Sequence, residues 1–460
     1  MYHQTISVWA GLLTVYLLCF AFIAFVGYCL YVRRIHKKYD HIPGPPRDNF
    51  LLGHVPTFLR ETNSERVIHD KFLEWAETYG PVYRINSFHG VALVVSCPEA
   101  TKEFLMSPKY SKDPFVYKRL FNLFGRRFLG NGLVTAMNHD IWYKQRRIMD
   151  PAFSSSYLRG LMGTFNERAE RLMERLEEIA EERITANMHQ LVNCVTLDVI
   201  CKVAFGVDLD LLKNYNSPFP SAIELCLQGM VHYIRDPFFT LFPRNKKKVQ
   251  EIKEAVKLLR TTGSQWINQR KSAVENGDDV PKDILTQILK TKLHHTSLQT
   301  SCFYYSCYFL GQETTANQLS FVLKETLRLY PTAPGTSRWL HEDTVISGVK
   351  VPAGCALIFS SYVSSRMEKS FKDPLKFDPD RFDPNAAKPY FCYYPFALGP
   401  RSCLGQTFSQ MEAKVVLAKI LQRFEFSLVP GQSFNIKDTG TLRPESGVLC
   451  KIKYCSQGKN

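Results

Sequence analysis

Several features are missing from this chain, and each absence narrows the reading. No internal repeat and no low-complexity segment occurs, which excludes solenoid arrays and long disordered tails. No zinc-finger, RNA-recognition or basic-zipper pattern is found. The formal charge of +15, spread along the chain, therefore points to an anionic membrane surface or an acidic protein partner ahead of nucleic acid. The thirteen cysteines are odd in number and follow no interval, and Cys302 and Cys307 lack the spacing and downstream partners of a zinc site. That speaks against a disulfide framework and fits a reducing compartment in which most thiols are core residues. Charge itself is absent between Thr5 and Val32.

Within that uncharged run, residues 8–32 give 25 mostly apolar positions. As a helix they cover about 37 Å, enough to cross a ~30 Å hydrocarbon layer with some tilt. A cleaved signal peptide would have a shorter apolar region and a small-residue cleavage site, an alternative that Gly27 and Cys29 leave open. The basic Arg33-Arg-Ile-His-Lys-Lys38 flank predicts a short lumenal N-terminus and a cytosolic body. Ile42-Pro-Gly-Pro-Pro46 then forms a stiff extended connector that cannot continue a helix. The division is a transmembrane signal anchor over 1–32, a basic and Pro-rich linker over 33–50 and a globular body over 51–460.

The body is long enough, at 45% hydrophobic and 13% aromatic residues, to bury a large core. Residues 81–95 alternate around Gly90 and read as a β-hairpin. Residues 138–290 are mainly helical, with Leu172, Met173, Leu176 and Ile179 at amphipathic spacing. Short β-type runs occupy 345–359, and a helix from about 404 to 424 carries Phe408, Met411, Val415 and Ala418 on one stripe. The class is mainly α with small β-sheets. Residues 238–248 pair an apolar cluster with Arg244-Asn-Lys-Lys-Lys248, read equally as a second membrane contact or as a loop entering a solvated helix.

The most informative stretch is Phe396-Ala-Leu-Gly-Pro-Arg-Ser-Cys403-Leu-Gly405. Gly399 and Gly405 let a tight turn press backbone against a flat ligand. Arg401 can donate a forked pair of bonds to a carboxylate. Cys403, at the start of the 404–424 helix, is placed where backbone N–H groups favour a thiolate. A buried free cysteine is the ordinary fate of such a residue; the complete F-x-x-G-x-R-x-C-x-G spacing sets this one apart. Other constellations are weaker alone. Trp142 and Arg146 share a helix face at i,i+4 and could jointly hold a carboxylate. Glu325 and Arg328 are an i,i+3 pair that reads as an ordinary surface ion pair, or with Arg381 as a buried triad. Gly311-Gln-Glu-Thr-Thr315 interrupts an apolar helix, where Thr314 can bond back to the helix carbonyls and bend the axis.

Together these motifs resemble those of the haem-thiolate monooxygenases, the cytochromes P-450, over essentially the whole chain. Tyr110-Ser-Lys-Asp-Pro114, Trp142-Tyr-Lys-Gln-Arg-Arg147, 283–289 and 410–416 are similar to the cholesterol 24-hydroxylase branch. The resemblance implies haem b (iron protoporphyrin IX) with Cys403 as iron ligand and Trp142, Arg146, Arg338 and Arg401 around the propionates. Glu313 and Thr314 would serve oxygen activation, and Glu325, Arg328 and Arg381 would lock the core beside the haem. Phe121, Phe124, Ala333, Gly335 and Thr441 would contact substrate, from a roof built by 115–133, 333–336 and 440–442. It further implies hydroxylation of a sterol, at C24 of the cholesterol side chain, with O2 and with electrons from NADPH through a flavin reductase, at the endoplasmic reticulum membrane. Three departures accompany it. Glu325 follows Thr315 by only ten positions, so a segment of the family pattern is lacking between the central helix and the E-x-x-R helix. Ten helical residues cover only ~15 Å. Leu310 stands where a small residue would face the haem, and 300–309 depart from the usual start of that helix. An impaired or non-catalytic isoform, a haem-thiolate acting on another lipid, and a reductase-independent isomerase or lyase are the competing readings.

Overall fold

The structure is a computed structural model that describes residues 2–62, 64, 66–214, 216–291, 323–383, 386 and 389–455. Helix α1 (Tyr2–Tyr39) contains a window of mean hydropathy 2.3 with no residue buried. It does not stop at Val32. Arg and Lys are good helix formers, and His36, Lys37 and Lys38 suit the negative end of the helix dipole. The helix end docks on the body. Tyr39 Oη and Lys38 Nζ donate to the Ala353 carbonyl at 2.8 and 2.7 Å, and Arg84 N–H donates to Pro43 O at 2.8 Å.

The first layer of the body is a four-stranded sheet of β1 (Val82–Ser87), β2 (Gly90–Val95), β3 (Gly335–Leu340) and β4 (Cys355–Ser360). Its spatial order is β1-β2-β4-β3, with β2 and β4 parallel and the other neighbours antiparallel. Leu93, Val94, Val95, Leu357 and Phe359 are fully buried, as strands covered on both faces require. Phe88, at φ 55°, makes the hairpin turn.

The second layer is helical. Helix α2 (Ile68–Tyr79) covers the sheet, and α3 (Pro114–Phe121) starts at the Asp113 cap. Helix α4 (His139–Met149) is capped by Asn138, whose Oδ1 accepts from Ile141 N–H at 3.0 Å. Helices α5 (Met162–Glu181), α6 (Met188–Phe205), α7 (Pro218–Arg235) and α8 (Lys246–Asn276) build the main core. Helix α6 is apolar enough to cross a membrane, yet 78% of its window is buried; it is a core helix. The short α9 (Leu323–Leu329) precedes β3, and α10 (Gln406–Arg423) leads into β5 (Phe424–Leu428) and β6 (Leu449–Tyr454). All eleven described cysteines are free.

On α10 the sequence stripe is shifted. The buried positions are Phe408, Ser409, Glu412, Val416 and Ile420, with Met411 and Val415 half-buried and Ala418 exposed. The helix seats against α5 through Phe408, whose ring meets Phe165 edge-on at 5.2 Å. Four-residue steps follow that contact, which carries the charged type Glu412 inside.

The core also holds an acid that senses pH. Asp198 of α6 is buried, with Leu211 N–H donating to Oδ2 at 2.9 Å and Oδ1 unpartnered. Burial pushes its carboxyl up to about 7, although the Leu211 N–H and Arg168 oppose it. An acid raised on folding binds more protons in the native state, so its contribution is complete below the unfolded value near 4 and fades as pH rises through 7. Asp198→Asn should therefore flatten the stability-versus-pH curve between about 4 and 7, as measured by urea midpoints.

Candidate functional site

The segment around Cys403 is a tight loop pinned at several points. Cys403 N–H donates to Phe396 O at 2.9 Å and Ser402 N–H to Gly399 O at 3.0 Å. Gly399 sits at φ +68°, and a Cβ there would collide with the Leu105 carbonyl and reach Met106 Cα at 2.7 Å; only glycine fits so close to that backbone. Arg146 donates to Ser402 O at 2.8 Å and pairs with Asp150 at 2.6 Å, so α4 holds the loop directly. At Gly405 a Cβ would lie 3.9 Å from Cys403 Sγ.

Helix α10 begins at Gln406, two residues later than the 404–424 reading placed it. Burial raises Cys403 above its ordinary value, and the Gly405 N–H and Arg146 only partly oppose this. The residue nonetheless keeps exposed surface. A thiol in such a place ionises when a metal binds it.

Beside the loop stands a cluster of three cations, Lys112 and Arg338 buried and Arg401 half-buried. The Arg401 guanidinium lies over the Trp142 ring at 4.2 Å and donates to Ala136 O at 2.8 Å. Arg338 is 1% exposed, with Nη1 donating to Thr336 Oγ1 and Ser337 O at 3.2 and 3.1 Å; its Nε and Nη2 have no partner. Lys112, also buried, donates to Tyr117 Oη at 3.0 Å. Burial lowers all three, and Arg401, further pressed by Arg338, falls to about 10. Among the described residues no carboxylate pairs with Lys112, Arg338 or Arg401. Unpaired buried charge is costly, and forked guanidinium donors match carboxylate geometry. The donor set therefore fits a flat ligand bearing two carboxylates over a sulfur, as haem does.

Glu325 and Arg328 are buried, not a surface pair. Arg328 Nε and Nη2 bond the two Glu325 oxygens at 2.7 and 2.9 Å, Nη1 donates to Ser365 O at 2.6 Å, and Nη2 also reaches Lys376 O at 3.2 Å. Arg381 Nε lies 3.3 Å from Glu325 Oε1. Ala333, Gly335 and Thr441 share one neighbourhood, since Leu442 N–H donates to Thr332 O at 2.9 Å. Phe121 is half-buried at the end of α3, whereas Phe124 turns into the helical core, 4.7 Å from the Tyr233 ring and 5.8 Å from Phe239. Glu313, Thr314 and Leu310 lie outside the described residues.

Sequence reading missed Lys112 as a member of the cation cluster. A lysine before an Asp-Pro helix start reads as solvated, and only the fold buries it against Arg338. It missed the burial of Glu412 because the inward stripe of α10 follows the Phe408 contact.

The comparisons agree with this geometry. The family model described as Cytochrome P450 matches residues 43–324 and, in a second piece, 319–452. The chain belongs to the cytochrome P450 family. Relatives include Cytochrome P450 4d2 of Drosophila melanogaster, 24% identical over 90% of this chain and 93% of the relative. Cytochrome P450 4V2 of Rattus norvegicus is 25% identical over 90% of this chain and 89% of its own. The chloroplastic carotene epsilon-monooxygenase of Arabidopsis thaliana is 28% identical over 82% and 80%. Membership implies a haem cofactor and electrons supplied by a reductase.

Two outcomes follow from the packing. Glu325→Ala leaves Arg328 charged and buried, at a cost of roughly 3–5 kcal/mol, and should remove folded protein in a thermal melt. Gly399→Ala forces a Cβ against the Leu105 and Met106 backbone and should lower both the thermal midpoint and the haem content of the purified chain, the latter read as the Soret-to-protein absorbance ratio.

Proposed function

We propose that this chain is a membrane-anchored haem-thiolate monooxygenase that hydroxylates a sterol, with C24 of the cholesterol side chain as the position attacked. The observation that carries the monooxygenase reading is the unpaired Arg338–Arg401–Lys112 cluster beside the Cys403 loop. The sterol assignment rests on the stretches quoted from 110–114, 142–147, 283–289 and 410–416.

In this reading Cys403 ligates the iron, and Arg338, Arg401 and Lys112, with Trp142 beneath Arg401, hold the propionates. Arg146 keeps the Cys403 loop in register through Ser402 O. The haem supplies activation of dioxygen, which a thiolate ligand favours. One oxygen atom enters a substrate C–H bond and the other leaves as water, with two protons and two NADPH electrons delivered through a flavin reductase. Glu313 and Thr314 pass the protons. Ala333, Gly335, Thr441 and Phe121 shape the substrate side, and Phe124 supports it from the helical core. Helix α1 anchors the body at the endoplasmic reticulum membrane with its bulk in the cytosol, a placement supported by the basic last turn.

A second reading is an impaired isoform. It is favoured by the break in the family match at 319–324 and by the ten positions between Thr315 and Glu325. One experiment separates the two. In full chain with haem and reductase in phospholipid vesicles, the reduced carbon monoxide spectrum should show the thiolate-shifted Soret band, and cholesterol plus NADPH should yield the side-chain alcohol. Absence of that band in haem-replete protein overturns the enzyme reading; a normal band with no sterol product overturns the substrate.

Cys403→Ala should abolish the shifted band and turnover while vesicle binding through α1 persists. Arg338→Ala should loosen haem retention by roughly 10- to 100-fold, the size expected when a charge-assisted bond is lost, as measured by transfer of haem to apomyoglobin.

A further inference from the structure

The turn from Pro331 to Pro334 lies between α9 and β3, and its prolines decide how it is held. Strands β3 and β4 pair in antiparallel register with Gly335 opposite Ser360. The ladder cannot run on through Pro334, which has no N–H to give. The turn's carbonyls still need donors, because buried backbone oxygens are seldom left without one. Three successive carbonyls are each caught from elsewhere. Leu442 N–H donates to Thr332 O at 2.9 Å and Tyr362 N–H to Pro334 O at 3.2 Å. Ser361 Oγ donates to Ala333 O at 3.3 Å, and Ser360 Oγ to Pro334 O at 3.2 Å. Both serines are 1% exposed.

The turn cannot come closer to β4 than it is. A Cβ at Gly335 would meet Phe359 O at 2.7 Å and Ser360 Cα at 3.2 Å, so backbone already touches backbone there. The donors themselves are anchored. Tyr362 Oη donates to Asp70 Oδ1 of α2 at 2.6 Å, and the Arg366 guanidinium lies 3.4 Å from the centre of the Tyr362 ring. Leu442 belongs to the hairpin of Ile436–Asp438 and Leu442–Pro444, which meets the same helix. There His69 Nε2 lies 3.5 Å from Asp438 Oδ2, an oxygen that Arg235 also pairs with. Helix α2 thus ties together the two elements that grip the turn. Between them Ala333 and Gly335 keep exposed surface, while Pro331, Thr332 and Pro334 are buried.

We propose that the Ser360 and Ser361 hydroxyls are specificity-determining positioning groups, which set the Ala333–Gly335 turn against the substrate and so select the carbon that is oxidised. This selection rests on the roof assignment of the proposed function. Neither hydroxyl touches a reacting atom. A misplacement of about 1 Å changes a rate about 100-fold, so a turn freed from these bonds lets neighbouring carbons compete. Ser360 Oγ also accepts from Val363 N–H at 3.2 Å and caps the short helix Ser361–Ser364. Ser361 isolates the contact with the turn.

The test uses the full haem-loaded chain with reductase in phospholipid vesicles. Ser361→Ala should speed deuterium exchange across 332–336 about fivefold, as expected for one lost hydrogen bond. With cholesterol and NADPH it should also raise the share of alcohols at carbons other than the main one about fivefold. Ser361→Thr keeps the hydroxyl and should return both readings to the parent values. Ser361→Cys, of similar size but a weak donor, carries the expectation of Ser361→Ala should that variant not fold. Unchanged exchange in Ser361→Ala overturns the hold on the turn. Faster exchange with the parent's product distribution overturns the role in selection, as does a Ser361→Thr variant that scatters product. A wrong sterol assignment shows elsewhere, as failure of cholesterol to shift the spin state of the parent protein. Exchange then stays readable, and selection is read from two haem-binding probes. Bulky clotrimazole should change affinity about fivefold in Ser361→Ala and small imidazole not at all; unchanged clotrimazole affinity overturns the selection.

Discussion

Glu325 and Arg328 sit almost out of reach of water and hold together parts of the chain that have little else in common. Arg328 gives its donors to both Glu325 oxygens and to the carbonyls of Ser365 and Lys376. Asp378 N–H closes on Glu325 Oε1 at 2.9 Å, and Tyr393 Oη reaches Lys324 O at 3.2 Å. Helix α9, the turn after β4 and the irregular run toward Phe396 are thereby fixed to one another. The Cys403 loop inherits its position from that frame. A buried pair of this kind contributes little net stability against an apolar substitute; its effect here is to define one arrangement of loops that have few apolar contacts of their own.

The site is organised by a surplus of one charge. Three cations gather near Cys403 without a carboxylate, whereas Arg168 is matched by Asp208, Arg270 by Asp283 and Arg235 by Asp438. A cluster of three cations is what a ligand bearing negative groups would resolve. The two kinds of buried charge also divide the labour. Matched pairs set the relation of one element to another, and the unmatched cluster waits on something from outside the chain.

Much of the site could be read in the chain because its residues lie close together in sequence. Gly399, Arg401, Cys403 and Gly405 form one loop, Trp142 and Arg146 one helical turn, Glu325 and Arg328 another, and local geometry carries such spacing into space. Lys112 and Arg338 escaped as partners because 226 positions separate them and their meeting depends on an isolated bridge at the sheet edge. Phe124 shows the opposite failure. An aromatic beside the presumed roof reads as a substrate contact, yet the left-handed turn at φ 47° sends it into the helical core.

The amino-acid order alone determined the apolar helix at the N-terminus, the mainly helical class, the sheet hairpin and the tight cysteine loop, since each depends on periodicity or on turn residues within a few positions. Tertiary structure alone decided the ionisation of Cys403, the burial of Glu412 and Asp198, the cation cluster and the joining of Asp438 to Arg235 and His69. Those properties depend on which groups are kept from water and which charges come within a few ångströms, and neither is written in local spacing.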